Sequence, residues 1–324
     1  MKLVQIEEYG SEDVMHLKEV PTPTPESDEI LVKVAAAGIN FIDIYQRTGL
    51  YQNSLPYNLG LEGAGVIEAV GPLVTDFHVG DRVAWCHIPG SYATHVLTSS
   101  RFLVKVPDEL DIKQAAAAML QGLTVHYLTH STYKVMPGDR CLVHAAAGGV
   151  GLLLCQILKK LGAYVIGTVS TREKAQLAKD AGADAIILYT EMDVVKEVKS
   201  LTNAKGVNVV YDSVGKDTFE KSLMCLAPRG YLVLFGQSSG PVGAFDPQVL
   251  NKNGSLFLTR PSLAYYIADR EEYLARASDL FGWLVNKDAR LRVEHIYPLS
   301  QVAVAHQDLA GRKTTGKLLL IPEC

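Results

Sequence analysis

The run His144-Ala145-Ala146-Ala147-Gly148-Gly149-Val150-Gly151 limits the fold of this chain more than any other stretch. It follows the apolar segment Cys141-Leu142-Val143 and leads into Leu152, Leu153, Leu154, Ile157 and Leu158 at helical spacing. A turn of small residues between strand and helix lets the backbone approach a pyrophosphate closely. The helix start adds unpaired N–H groups and the positive end of its dipole. Against Gly-x-Gly-x-x-Gly, Ala146 stands at the first glycine, while Gly148 and Gly151 hold the second and third. Taken alone, the run also suits a tight strand–helix turn that binds nothing, so its meaning depends on its surroundings.

From about Thr124 apolar strands alternate with amphipathic helical segments, the pattern of repeated βαβ units and a parallel sheet. Strands are expected at 140–145, 163–168, 185–188, 207–212 and 231–235. Helices are expected near 149–161, 172–181, 192–201 and 216–226. The first third reads differently, as short β-branched runs at 29–37, 63–70 and 81–84 divided by Gly and Pro. After Gly254 come a strand at 255–259, helical periodicity over 264–286 and a closing strand at 317–321. The 324 residues suit two domains, each able to bury a core.

Composition narrows the partners. Thirty-one Lys and Arg against 35 Asp and Glu give a net charge of −4, which offers no global field for nucleic acid or anionic lipid. The N-terminus has no basic region followed by an apolar run, so a cytoplasmic protein is expected. The five cysteines are scattered, odd in number and lack a Cys-x-x-Cys pair, and are read as reduced thiols.

The second strand of a NAD-binding unit usually ends in Asp or Glu, which holds the ribose hydroxyls. Here it ends Gly167-Thr168-Val169-Ser170-Thr171-Arg172-Glu173-Lys174, with no carboxylate at the tip. Ser170 and Lys174 can hydrogen-bond and neutralise a ribose 2′-phosphate, which a carboxylate would repel, so NADPH is the expected cofactor. Lys174 and Arg172 also suit a plain solvated helix face.

Several motifs then occur together in family order: Ala37-Gly38-Ile39-Asn40-Phe41-Ile42-Asp43 on to Tyr51, Gly60-Leu61-Glu62-Gly63-Ala64-Gly65, Gly80-Asp81-Arg82-Val83 and the phosphate turn. With Tyr211-Asp212-Ser213-Val214-Gly215 and Thr259-Arg260-Pro261-Ser262, the chain resembles the bacterial NADPH:quinone oxidoreductases over essentially its whole length. These are the zeta-crystallin-like, zinc-free branch of the medium-chain dehydrogenase/reductases. The resemblance implies an α/β protein with a GroES-like β-rich catalytic domain from 1–122 and 261–324 and a Rossmann doubly wound domain at 123–260. It also implies a cofactor cleft at their junction and a homodimer. Carried over by position, Tyr127, Gly149, Val150, Ser170, Lys174 and Tyr189 are cofactor contacts. So are Ser213, Phe235, Gly236, Gln237, Ser238, Arg260, Pro261, Ser262 and Arg312. Asn40, Tyr45 and Tyr51 border the substrate, Asn40 and Tyr45 also reaching the nicotinamide, while Tyr51 and Tyr127 supply an aromatic wall. Tyr45 and Tyr51 equally suit ordinary packing.

Where a zinc-dependent relative places its ligands, this chain has Asn40, Leu61 and Gln121, so no metal is expected. His126 and His130 stand i and i+4 on an expected helix, but Tyr127 rather than Glu follows His126, and a packing role is favoured. Cys86 and His87, adjacent on an expected strand, point to opposite faces and form no thiol–imidazole pair. Without a Lewis acid the natural acceptors are quinones or alkenes conjugated to a carbonyl. The leading reading is a quinone reductase, its rival a reductase of α,β-unsaturated carbonyls. From another class stands a non-catalytic NADPH- or RNA-binding crystallin-like protein, and the acidic charge speaks against RNA.

Overall fold

In a computed structural model of the chain, residues 1–311 and 313–323 are described. Strands β1 (Lys2–Ile6), β2 (His16–Glu19), β3 (Glu29–Ile39), β4 (Tyr57–Asn58), β5 (Glu62–Val70), β6 (Arg82–Cys86), β7 (His95–Ser99) and β8 (Val104–Lys105) come first, with helix α1 (Phe41–Arg47) after β3. Helix α2 (Ile112–Tyr127) follows, then β9 (Arg140–Val143), α3 (Gly149–Lys160), β10 (Tyr164–Val169), α4 (Arg172–Asp180), β11 (Ala185–Leu188) and α5 (Val194–Leu201). Next come β12 (Val207–Asp212), α6 (Phe219–Cys225), β13 (Leu226–Leu234), α7 (Gln248–Lys252), β14 (Phe257–Thr259), α8 (Leu263–Tyr266) and α9 (Arg270–Val285). The chain closes with β15 (Val293–Pro298), α10 (Val302–Ala310) and β16 (Lys317–Ile321).

The chain divides into two compact units: Met1–Leu123 with Ile267–Lys287 and Leu291–Cys324, and Thr124–Tyr266 with Asp288–Arg290. In the first, a seven-stranded sheet runs β15-β16-β3-β5-β6-β8, with β7 also pairing β3, beside a three-stranded sheet β2-β1-β4. Strand β3 is central, and Ile30 and Val32 pack with Ile67 and Trp85 in one fully buried cluster. Each such aliphatic side chain taken out of water contributes about 1.5–3 kcal/mol. The pairing Gly38↔Glu62 and Leu319↔Gly38 places the end of β3 beside the starts of β5 and β16.

The second unit holds a parallel sheet of order β11-β10-β9-β12-β13-β14. The centres of its middle strands are apolar, with Leu142, Ile166, Val210 and Leu232 fully buried, because helices cover both faces of such a sheet. The strand order reverses between β9 and β12. The crevice beyond the carboxyl ends of strands at such a point is where open α/β sheets take their ligands.

Three sequence expectations are corrected here. The helix expected over 264–286 is two, α8 and α9, separated at 267–269, where Asp269 caps α9 by accepting from the Glu272 N–H at 2.9 Å. His87 is not on a strand: β6 stops at Cys86, and His87 adopts a left-handed φ of 64°. The helix expected from 216 starts at Phe219, because Asp212 ties down the preceding turn by accepting from the N–H groups of Val214 and Gly215.

Candidate active site

The phosphate turn leaves β9 at His144, whose imidazole is buried between the Thr168 hydroxyl and the Ser222 hydroxyl, each at 3.0 Å. Ser222 in turn donates to Asp212 at 2.8 Å. These contacts tie β9, β10, β12 and α6 together directly beneath the turn. Burial, opposed by the Asp212 carboxylate, depresses the His144 pKa, so the ring is a neutral strut rather than an acid. The left-handed residue of the turn is Ala145, with φ of 52°, one place before the residue aligned with the first fingerprint glycine. Alanine there carries a backbone cost of about 1–2 kcal/mol that glycine avoids.

The glycines that follow divide their work. A methyl at Gly151 would sit 2.3 Å from the Ala145 carbonyl, so this position must be glycine for helix and strand to pack. A methyl at Gly148 would meet only that same carbonyl, at 3.3 Å, and would otherwise fill the open space above the turn. Helix α3 begins at Gly149 from an extended Gly148, and the first turn of any helix lacks internal acceptors for its N–H groups. Half-exposed Gly149 and Val150 therefore present donors and a positive dipole end to that space. The residues present fit a dinucleotide pyrophosphate.

Of the second-unit residues expected to contact the cofactor, all but Tyr127 and Lys174 lie just past the carboxyl end of a sheet strand or in the turn itself. Ser170 follows β10, and Tyr189 follows β11 and donates its N–H to the Val169 carbonyl at 3.1 Å. Ser213 follows β12, Phe235 to Ser238 follow β13, and Arg260 to Ser262 follow β14. Phe235 and Gly236 donate to the Asp212 carbonyl, and Ser238 to that of Ser213, which fixes the loop after β13 against β12. At the tip of β10, Thr171 caps α4 by accepting from the Lys174 N–H at 3.3 Å, setting Lys174 in the first turn of that helix. Arg172 is turned to Glu191 at 3.7 Å. Tyr127 is buried, its ring stacked on Tyr266 at 4.2 Å and 8°. Arg312 lies outside the described residues.

In the first unit, Asn40 precedes α1 and is buried; Tyr45 lies one turn on, edge to face with Tyr51 at 5.3 Å. The backbone closes the same loop, as the Tyr51 N–H donates to the Tyr45 carbonyl at 3.0 Å. Around Asn40 lies a polar cluster that the sequence did not announce. Its amide donates to Glu62 Oε2 at 2.8 Å and accepts from Lys317 Nζ at 2.7 Å, while Lys317 also donates to Glu62. The other Glu62 oxygen accepts from the Leu120 N–H at 2.7 Å. Glu62 and Lys317 are completely buried, so each satisfies the other as burial demands. On the far side of Asn40, Asp43 accepts from the Asn40 N–H at 2.7 Å and from the Tyr92 hydroxyl at 2.8 Å. Burial lifts the Asp43 carboxyl to about 7, against the lowering pull of those two donors.

Glu62 touching both Asn40 and Leu120 brings the positions 40, 61 and 121 to one neighbourhood. What they bring is an amide held by Lys317 and Glu62, an apolar Leu61, and a buried Gln121 whose Oε1 has no partner among the described residues. This is not a donor set for Zn2+, which takes thiolate, imidazole or carboxylate. Among the described residues no group of three His, Cys, Asp or Glu converges. His126 and His130 stack on each other at 4.6 Å, with His126 buried. A separate cavity of ≈ 620 Å³ in the first unit, walled by Phe77, Arg270 and Phe281, contains none of the residues expected to act.

Residues 26–108 match the alcohol dehydrogenase GroES-like domain and residues 149–279 the zinc-binding dehydrogenase family, whose metal the residues just described do not fit. The chain is 48% identical over 324 residues to a quinone oxidoreductase of Pseudomonas aeruginosa, covering 99% of each. It matches the crystal structure of an Escherichia coli quinone oxidoreductase complexed with NADPH at a TM-score of 0.97 and 44% identity, over 99% of this chain and 100% of that one. A 2-haloacrylate reductase of a Burkholderia species is 41% identical over 328 residues, covering 98% of each. With its GroES-like sheet, six-stranded Rossmann-type sheet and glycine turn, the chain belongs to the quinone oxidoreductases of the medium-chain dehydrogenase/reductase family.

Proposed function

We propose that this chain is an NADPH-dependent quinone reductase that works without a metal. The observation that carries the reading is the tip of β10, where the chain runs Val169-Ser170-Thr171 with no carboxylate before α4 begins and Lys174 stands in the first turn of that helix. The NADPH complex of the Escherichia coli relative supports it. When bound, the reduced nicotinamide supplies the hydride. The second unit is the cofactor-binding domain: the N–H groups of Gly149 and Val150 take the pyrophosphate, and Ser170, Lys174 and Tyr189 take the phosphorylated ribose end. Ser213, Phe235 to Ser238, Arg260 to Ser262, Tyr127 and Arg312 complete the grip. The first unit is the catalytic domain. There Asn40 and Tyr45 orient nicotinamide and quinone and donate to the oxygen that gains charge, while Tyr51 closes the site against water.

The homodimer belongs to the same proposal. Strand β14 is an edge of the parallel sheet, and half-exposed Phe257 extends the stack begun by Tyr231, a surface suited to a second copy. A cytoplasmic location belongs to the same reading; no described helix is long and apolar enough to cross a membrane. A second reading, reduction of conjugated alkenes, is favoured by the 2-haloacrylate reductase relative. Steady-state NADPH oxidation with a benzoquinone, a naphthoquinone and an alkenal decides between them: the quinones are expected to turn over fastest, and turnover of the alkenal alone would overturn the assignment.

A further inference from the structure

Asn40 directly follows β3, Glu62 begins β5 and Lys317 begins β16, three neighbouring strands of one sheet. The strand register thus delivers residues 22 and 277 positions apart from Asn40 to one side chain. An asparagine amide rotates readily about its last torsion and exposes an acceptor and a donor of similar shape. Here both are committed: Oδ1 accepts from an ammonium, which has no acceptor to offer, and Nδ2 donates to a carboxylate, which has no proton to give. The amide has a single orientation that satisfies both charges. Glu62 is itself anchored through the Leu120 N–H. The space for the pair comes from Gly38, where a Cβ would lie 2.2 Å from Glu62 Oε2 and 2.8 Å from Lys317 Cε. An apolar pair would fill this place with less desolvation cost, so stability alone gives no reason for two buried charges here.

We propose that Glu62 and Lys317 are positioning residues for the reaction: they act through Asn40, fixing its carboxamide so that its remaining N–H is set for the substrate or nicotinamide. This rests on the reading of Asn40 as a residue of the reacting site. Neither charged residue touches substrate.

The test is a mutant cycle. Removing one charge strands the other, so the pair is replaced together, as Glu62→Gln with Lys317→Met, and Glu62→Gln alone serves as the second variant. Each is made in the wild-type background and with Asn40→Ala. Benzoquinone turnover, the NADPH dissociation constant from protein fluorescence without quinone, and melting are measured for all. The paired replacement is expected to lower kcat on the order of 10- to 100-fold, the scale of a misplaced reacting group. With Asn40→Ala already present it should lower kcat no further, and the NADPH dissociation constant should stay within about threefold throughout. An equal fold-loss in both backgrounds means that the pair acts independently of Asn40 and overturns the proposal. Loss of NADPH binding together with turnover overturns it as well. Wild-type turnover in Asn40→Ala would instead remove Asn40 from the reacting site, and the proposal with it.

Discussion

Asp43 and His306 are joined through the Tyr92 hydroxyl, at 2.8 and 3.3 Å, and they respond to acid in opposite directions. Arg47 Nη1 lies 3.3 Å from His306 Nδ1 and can only donate, which makes that nitrogen an acceptor and leaves the ring proton on Nε2, facing Tyr92. Burial and Arg47 depress the His306 pKa from 6.5 to about 3. Between those values the unfolded chain binds a proton that the folded one refuses, so this group withdraws stability as pH falls below 6.5. Asp43 is raised from 3.8 to about 7, so between those values the folded chain holds the extra proton and stability grows as pH falls. Each slope is about 1.4 kcal/mol per pH unit, and across the shared window from pH 6.5 to 3.8 they offset each other. Asp43→Asn removes one arm and leaves the other. Relative to wild type, the variant should lose about 3 kcal/mol between pH 6.5 and pH 4.5. Urea unfolding of both proteins at several pH values measures this, with other titrating groups common to the two curves. Stability curves that run parallel across the window would refute the opposed-titration argument.

Three further outcomes follow from the site geometry. Lys174→Ala should weaken NADPH binding by roughly tenfold or more while leaving NADH nearly unchanged, as expected for loss of a charge-assisted contact to the 2′-phosphate; equal losses for both cofactors in a fluorescence titration would contradict this. Gly148→Ala should fold with nearly wild-type melting, because its methyl meets only the Ala145 carbonyl at 3.3 Å, yet lose NADPH affinity; Gly151→Ala should lose both, because its methyl would be 2.3 Å from that carbonyl. Gly38→Ala should destabilise by roughly 1–3 kcal/mol or more by driving into the Glu62–Lys317 pair, and unchanged melting would show that the pair has room to move.

The parallel sheet was legible because buried strand segments must be apolar, and Cys141-Leu142-Val143, buried throughout, satisfies that requirement locally. The phosphate turn was legible for the same reason: small residues, a preceding strand and a following helix are contiguous. Boundaries set by capping were not, since the start of α6 depends on how Asp212 spends its carboxylate oxygens, and the gap before α9 on Asp269. The Glu62–Lys317–Asn40 cluster was hidden for a stronger reason. A charged residue opening an apolar strand reads as a solvated end, and Lys317 before Leu318-Leu319-Leu320 looks like one. Only the register of β3 with β5 and β16 buries both charges together. The available signal was Gly38 inside β3, a position where a strand surrenders its side chain to make room. Asp43 likewise looks like an ordinary residue in the first turn of α1, and no local pattern announces its complete burial.

The most direct test of the account is a comparison of NADPH and NADH as donors to a benzoquinone, made on protein exhaustively treated with a chelator and analysed for zinc. Undiminished turnover, no stoichiometric zinc, and kcat/KM for NADPH at least about tenfold above that for NADH are expected, the last on the scale of one charge-assisted phosphate contact. Turnover that disappears on chelation and returns with zinc, or NADH serving as well as NADPH, would contradict it.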